Sequence, residues 1–132
     1  MPDIAIHLPS LIVIRCAVAA VWLYEGLWCK LLGGEARQVE VVTAVPKLGP
    51  LVGRYFLTAL GVVEVLIAAW VMWGEYPGTC AVAQTALLVG LNASGLMWAR
   101  HIIHDPAGMV VKNAAFLVLA WVAGAMGVSG PR

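Results

Sequence analysis

Apolar residues fall into four long runs, at about residues 8–28, 51–73, 79–98 and 108–128, parted by short polar or turn-forming stretches. Each run is about 20 residues long, the length that carries a helix across roughly 30 Å of hydrocarbon. None alternates polar with apolar residues as a membrane β-strand must, which excludes a barrel. The pattern predicts an all-α integral membrane protein, a single domain over residues 1–132 built as a four-helix bundle. Glu75-Tyr76-Pro77-Gly78 reads as a tight turn that makes the second and third helices antiparallel neighbours. Asp105-Pro106-Ala107-Gly108 breaks the chain before the fourth helix, and Ser129-Gly130-Pro131-Arg132 ends it. Between the first two runs, Val39, Val42 and Val45 recur at near-helical spacing before Pro46 and Pro50. That stretch suits either a short interfacial helix or an irregular loop.

Composition narrows the picture further. Hydrophobic residues make up 62% of the chain and charged ones 11%, with a mean hydropathy of +0.92. Soluble domains carry about 25% charged residues, so this chain could not cover a water-facing surface. A net charge of +1 without any basic run argues against nucleic acid as a partner. Cys16, Cys29 and Cys80 form no CxxC or metal spacing and are read as packing residues. Phosphate loops, nucleophile elbows and zincin motifs are missing from the sequence, which favours a non-catalytic subunit over an enzyme in its own right. Ala17-Val18-Ala19 imitates a signal-peptidase site, but Asp3 precedes it and Arg15 interrupts the apolar stretch. A secretory signal wants the opposite arrangement, so the segment is read as the first membrane span.

Cationic residues orient the bundle. Lys30, Arg37, Lys47 and Arg54 lie in or beside the first loop, Arg100 and Lys112 flank the third, and the second has none. The positive-inside rule then puts loops one and three in the cytoplasm and both termini outside, an N-out/C-out topology. For a bacterial inner (plasma) membrane this means periplasmic termini. Trp28, Trp70, Trp73 and Trp98 sit near helix ends, as interfacial anchors do.

Four charges fall inside or at the edge of the spans: Arg15, Glu25, Arg54 and Glu64. A lone charge at mid-bilayer costs at least about 3 kcal/mol, so each calls for a partner or water. Facing residues of an antiparallel pair have a constant index sum, and Arg15 with Glu64 gives the same sum as Glu25 with Arg54. One register therefore predicts two ion pairs, Arg15–Glu64 and, nearer the cytoplasm, Glu25–Arg54. Such pairs fix helix register, or else the carboxylates carry protons or hold the polar head of a lipophilic ligand such as a quinone. Trp22 lies on the same face of the first helix. Gln84 and Asn92 on the third helix suit either interhelical hydrogen bonds or a polar-lined pocket. His101 and His104, three apart and followed by Asp105, are weak candidates for a metal or haem, with no well-placed third ligand.

The most specific features are four local motifs. Trp22-Leu23-Tyr24-Glu25-Gly26-Leu27-Trp28-Cys29-Lys30 closes the first helix, and Gly61-Val62-Val63-Glu64 sits within the second. Asn92-Ala93-Ser94-Gly95-Leu96-Met97-Trp98-Ala99-Arg100 ends the third, and Asp105-Pro106-Ala107-Gly108-Met109-Val110-Val111-Lys112-Asn113 opens the fourth. Together they resemble the DoxX-like family of small four-helix bacterial membrane proteins, over nearly the whole chain. The matching positions are Trp22, Glu25, Gly26, Lys30, Glu64, Asn92, Arg100, Asp105, Pro106 and Asn113. The family takes its name from a membrane subunit of an archaeal thiosulfate:quinone oxidoreductase, and relatives have been linked to membrane redox complexes. The resemblance implies an accessory or anchoring subunit of a larger, quinone-linked electron-transfer complex. Its expected partners are other integral membrane subunits and membrane lipids, in an oligomer or hetero-complex, with a quinone or lipid as the candidate cofactor. The alternatives are a stand-alone quinone- or lipid-binding module and a small oligomeric transporter. No pair of cysteines shares one motif, which argues against a thiol mechanism.

Overall fold

A computed structural model describes residues 3–33, 40, 44 and 49–129. Helix α1 spans Leu11–Leu23 and continues without a break as a π-helix over Tyr24–Leu31. Helices α2 (Gly49–Trp73), α3 (Pro77–Trp98) and α4 (Pro106–Ser129) complete the bundle. All four spans are long and apolar enough to cross a membrane, and no strand occurs among the described residues. The fold is the four-helix membrane bundle that the apolar runs predict. The stretch in which an interfacial helix was weighed against a loop lies almost wholly outside the described residues.

Helix ends follow local chemistry. Residues 3–10 are extended and exposed, and Ser10, with φ −63° and ψ 155°, is the last non-helical residue. The first helix therefore starts three residues later than the apolar run and ends three later, at Leu31. Between α2 and α3, Gly74 (φ 83°) and Tyr76 (φ 51°) take left-handed conformations. Trp70 closes this turn by donating from Nε1 to the Glu75 carbonyl at 2.8 Å. Pro77 then opens α3, where its missing N–H costs no hydrogen bond. Asp105 starts α4: its carboxylate accepts from the Gly108 N–H at 3.0 Å, satisfying one of the orphan donors of a helix N-terminus.

Helix α1 with its π segment packs chiefly on α2, and α3 packs chiefly on α4. The α1–α4 contact joins the two pairs, while the consecutive α2 and α3 touch only sparsely. The hydrophobic core occupies the half of the bundle nearer the termini. There Ile14, Val18 and Trp22 meet Ile67, Val71, Ala120 and Ala123. Small residues let the backbones come close, as membrane bundles require when no hydrophobic driving force acts between helices. Toward the other end the helices enclose a cavity.

Candidate functional site

The site is assembled by an irregularity in the first helix. In an α-helix, residues five apart stand about 140° apart around the axis, so Glu25 and Lys30 would face different neighbours. Where hydrogen bonds reach five residues back, such residues sit one turn above the other on one face. The π segment ends in such a bond, from the Leu32 N–H to the Leu27 carbonyl at 2.8 Å. Lys30 is thereby brought to the face of Glu25, with its Nζ 3.5 Å from the Glu25 carbonyl and 3.8 Å from Oε2. The same ammonium reaches across to α2, 2.9 Å from Glu64 Oε1 and 3.1 Å from Oε2. Glu64 is 1% exposed, one of the most fully buried side chains of the molecule. Lys30 is its counter-ion.

Glycines make this closeness feasible. A Cβ on Gly26 would lie 2.7 Å from the Gly61 carbonyl oxygen and 2.9 Å from the Glu64 Cβ. A Cβ on Gly61 would lie 3.0 Å from the Gly26 carbonyl oxygen. The two backbones thus touch beside the buried carboxylate, in the manner of small-residue crossings in membranes.

These contacts correct the expected ion pairs. Gly26 faces Gly61 and Glu64, and Arg15 faces Gly74, so the register is displaced by about ten residues from the one inferred by charge spacing. Glu25 and Glu64 consequently lie at one level, with Lys30 between them. Arg15 does not pair with Glu64. Its guanidinium packs against the Gly74 and Gly127 backbones, where a Cβ would come within 2.8 and 3.1 Å of its nitrogens. Those glycines stand at the C-terminal ends of α2 and α4, where the helix dipoles favour a cation. Arg54 is exposed on α2 and forms no ion pair with Glu25. Backbone contact at the glycines sets the register, and the charges accommodate to it.

Above the Glu64–Lys30 pair lies a cavity of about 370 Å³ to which all four helices and the loop before α4 contribute. Its polar lining comprises Glu25, Lys30, Glu64, Asn92, Asn113 and His104. Leucines, Ile102, Ile103, Met109 and the ring of Phe116 supply the apolar remainder. Trp22 forms one wall, held edge-on to Phe116 at 5.7 Å between centroids and donating from Nε1 to Gln84 Oε1 at 2.8 Å. Gln84, 3% exposed, donates in turn to the Cys80 carbonyl. Asn113 donates to Asn92 Oδ1 at 2.9 Å, and Asn92 donates to the Leu88 carbonyl at 2.8 Å. Ile103 folds back over Gly95, where a Cβ would sit 3.2 Å from its Cδ1.

The sequence-derived candidates divide accordingly. Trp22, Glu25, Glu64 and Asn92 line this cavity, while Gln84 and Arg15 flank a much smaller one nearer the termini. Arg54 belongs to neither. His104 lines the larger cavity and His101 is exposed, and no group of three potential metal ligands forms among the described residues. The cavity also takes in Lys30, Asn113 and Phe116, which the pattern of charges within the spans does not mark as site residues. Lys30 was hidden because α-helical spacing turns it away from Glu25, although its place in the Glu25-Gly26-Leu27-Trp28-Cys29-Lys30 motif marked it.

The DoxX-like family model matches residues 19–121. The chain belongs to the DoxX-like family. No curated protein and no solved structure matches it. The span shared with other DoxX-like proteins takes in the whole cavity, from Val21 to Phe116, and leaves Arg15 outside.

Proposed function

We propose that this DoxX-like protein is a non-catalytic membrane subunit that binds the polar head of a lipophilic, quinone-type ligand between its helices. It serves a larger electron-transfer assembly in a bacterial plasma membrane. The supporting observation is the cavity, with a buried charge pair as its floor and an aromatic and aliphatic wall. Small-molecule sites are concave, mostly apolar, carry a few convergent polar groups, and measure roughly 300–1,000 Å³. About 370 Å³ with this lining falls within that class. A pair serving only to lock helices needs no such space above it. A bundle of 14.0 kDa offers little room for redox chemistry of its own, which favours a role beside a catalytic partner.

Gentle detergent extraction followed by mass spectrometry of co-purifying proteins and extracted lipids tests this. The expected result is a quinone-type lipophile near one per chain, together with an integral oxidoreductase subunit. A homogeneous preparation with neither, from membranes rich in quinone, would overturn the proposal.

A further inference from the structure

The hydrogen-bonding atoms around the cavity are not evenly available. Lys30 points its ammonium at both oxygens of Glu64, at the Glu25 carbonyl and toward Glu25 Oε2. An ammonium has three protons, so Lys30 is spent. The Trp22 N–H is committed to Gln84, and one N–H of Asn92 to Leu88. One N–H of Asn113 is committed to Asn92. What remains is the Glu25 carboxylate, a charged acceptor, beside a second amide N–H on each of Asn92 and Asn113 and the ring N–H of His104. Among the described residues, the Glu25 carboxylate is held only at 3.8 Å by Lys30 and is 41% exposed, and the Asn113 Oδ1 accepts no hydrogen bond. Charge points the same way. Glu25 and Glu64 outnumber Lys30 and leave the floor one negative charge in excess, which is costly inside a membrane unless hydrogen-bond donors or water solvate it.

From this imbalance we infer that the cavity selects lipophilic ligands whose head group donates hydrogen bonds, with the Glu25 carboxylate as the principal acceptor and Asn113 as the second. A head group that only accepts, such as a dicarbonyl ring, meets the amide and ring N–H donors but forgoes the stronger, charge-assisted bond to Glu25. Its reduced, dihydroxy form meets partners. The inference rests on the ligand-binding reading above and specifies which chemical form the site prefers. A dihydroxy aromatic and a primary alkylammonium share this donor chemistry, and they separate experimentally.

Equilibrium binding of four probes to the detergent-purified full chain tests it: decyl-benzoquinone, its dihydroxy form under anaerobic reductant, dodecylamine and dodecyltrimethylammonium. A hydrogen bond to a charged group is the difference between the redox forms, so the dihydroxy form is expected to bind about tenfold tighter or better. Glu25→Gln, which replaces a pure acceptor with a donor and acceptor, should bring the two forms within about threefold. Thermal melting checks that this variant is folded. Among the cations, dodecylamine binding well above the trimethylammonium probe supports donor selection, and equal binding of the two would mean that charge alone is read. Equal affinity for the two redox forms in the native chain overturns the inference while leaving the ligand site intact. Failure of all four probes to bind overturns the ligand-binding reading itself.

Discussion

The ammonium of Lys30 and the carboxylate of Glu64 meet at 2.9 Å across the point where Gly26 and Gly61 bring two helix backbones into contact. The pair therefore does two things at once: it neutralises a carboxylate buried to 1% exposure, and it forms the floor of the cavity. The π segment is what lets one lysine serve both α1 and α2. Without the extra residue in its turn, Lys30 would leave the Glu25 face.

Lys30→Met should accordingly destabilise the bundle, because Glu64 would be left buried and unpaired. Breaking one side of a buried pair typically costs about 3–5 kcal/mol, less where water can reach the site. Adding Glu64→Leu should recover most of the loss, since neither charge then lacks a partner. The same cycle between Arg15→Met and Glu64→Leu should be additive, because those side chains do not touch. Thermal unfolding in detergent, followed by size-exclusion chromatography, reads both cycles. Coupling at Arg15–Glu64 and additivity at Lys30–Glu64 would reverse the assignment.

Gly26→Ala should be the most damaging alanine substitution among the helical glycines. Its Cβ would press at 2.7 Å on a backbone oxygen that cannot swing aside. Overpacking of this kind costs about 1–3 kcal/mol. Gly90→Ala is the matched control, since a Cβ there meets nothing within 4 Å. Helix propensity alone should make Gly90→Ala neutral or stabilising by up to about 1 kcal/mol. The two melting temperatures should move in opposite directions or differ clearly, and equal shifts would show that the close crossing does not form.

The fold was legible because hydrophobic length is a strong signal: the runs at 51–73, 79–98 and 108–128 became Gly49–Trp73, Pro77–Trp98 and Pro106–Ser129. The charge register was not. Arg15 and Glu25, and Arg54 and Glu64, share the same spacing, so a rigid α-helical count gives a tidy pairing that the backbone does not adopt. Two features defeated the count. A π-helix changes which residues share a face, and its sequence, Tyr24-Glu25-Gly26-Leu27-Trp28-Cys29-Lys30-Leu31, carries no unambiguous mark of it. Register is also decided where backbones touch, at Gly26 and Gly61, and long side chains such as Arg15 then find what they can reach. Trp22, Glu25, Glu64 and Asn92 are legible because polar or aromatic residues in apolar helices stand out, whereas Lys30 has the sequence position of an ordinary loop-flanking cation.

Trp22→Phe should keep the ring packing against Phe116 but remove the donor to Gln84, whose oxygen would be left without it in a site 3% exposed. An unsatisfied buried acceptor costs about 1–3 kcal/mol. Gln84→Leu added to Trp22→Phe should restore part of that stability, because the orphaned amide is then gone. Measured by thermal melting, an unchanged Trp22→Phe protein would mean that the indole bond contributes nothing to the wall of the cavity.

The orientation of the bundle sets which compartment the cavity lies closer to. Lys30 stands at the loop-one end of the first span, and Arg100 and Lys112 flank the loop between α3 and α4, while the turn between α2 and α3 carries no Lys or Arg. Short loops rich in lysine and arginine stay in the cytoplasm, because moving them across the membrane during insertion is unfavourable. Both termini are thus expected on the periplasmic side, with Arg15 near that surface. The Lys30–Glu64 floor and His104 then lie toward the cytoplasm, so a ligand head group in the cavity would sit nearer the cytoplasmic face. A periplasm-active reporter fused after Arg132 should be active, and a cytoplasm-only reporter at the same position silent. Moving positive charge into the second loop, by Glu75→Lys with Tyr76→Lys, should weaken that preference and yield a mixed population. The opposite reporter pattern in the native chain would place the cavity toward the periplasm and invert every assignment of side made from the loop charges.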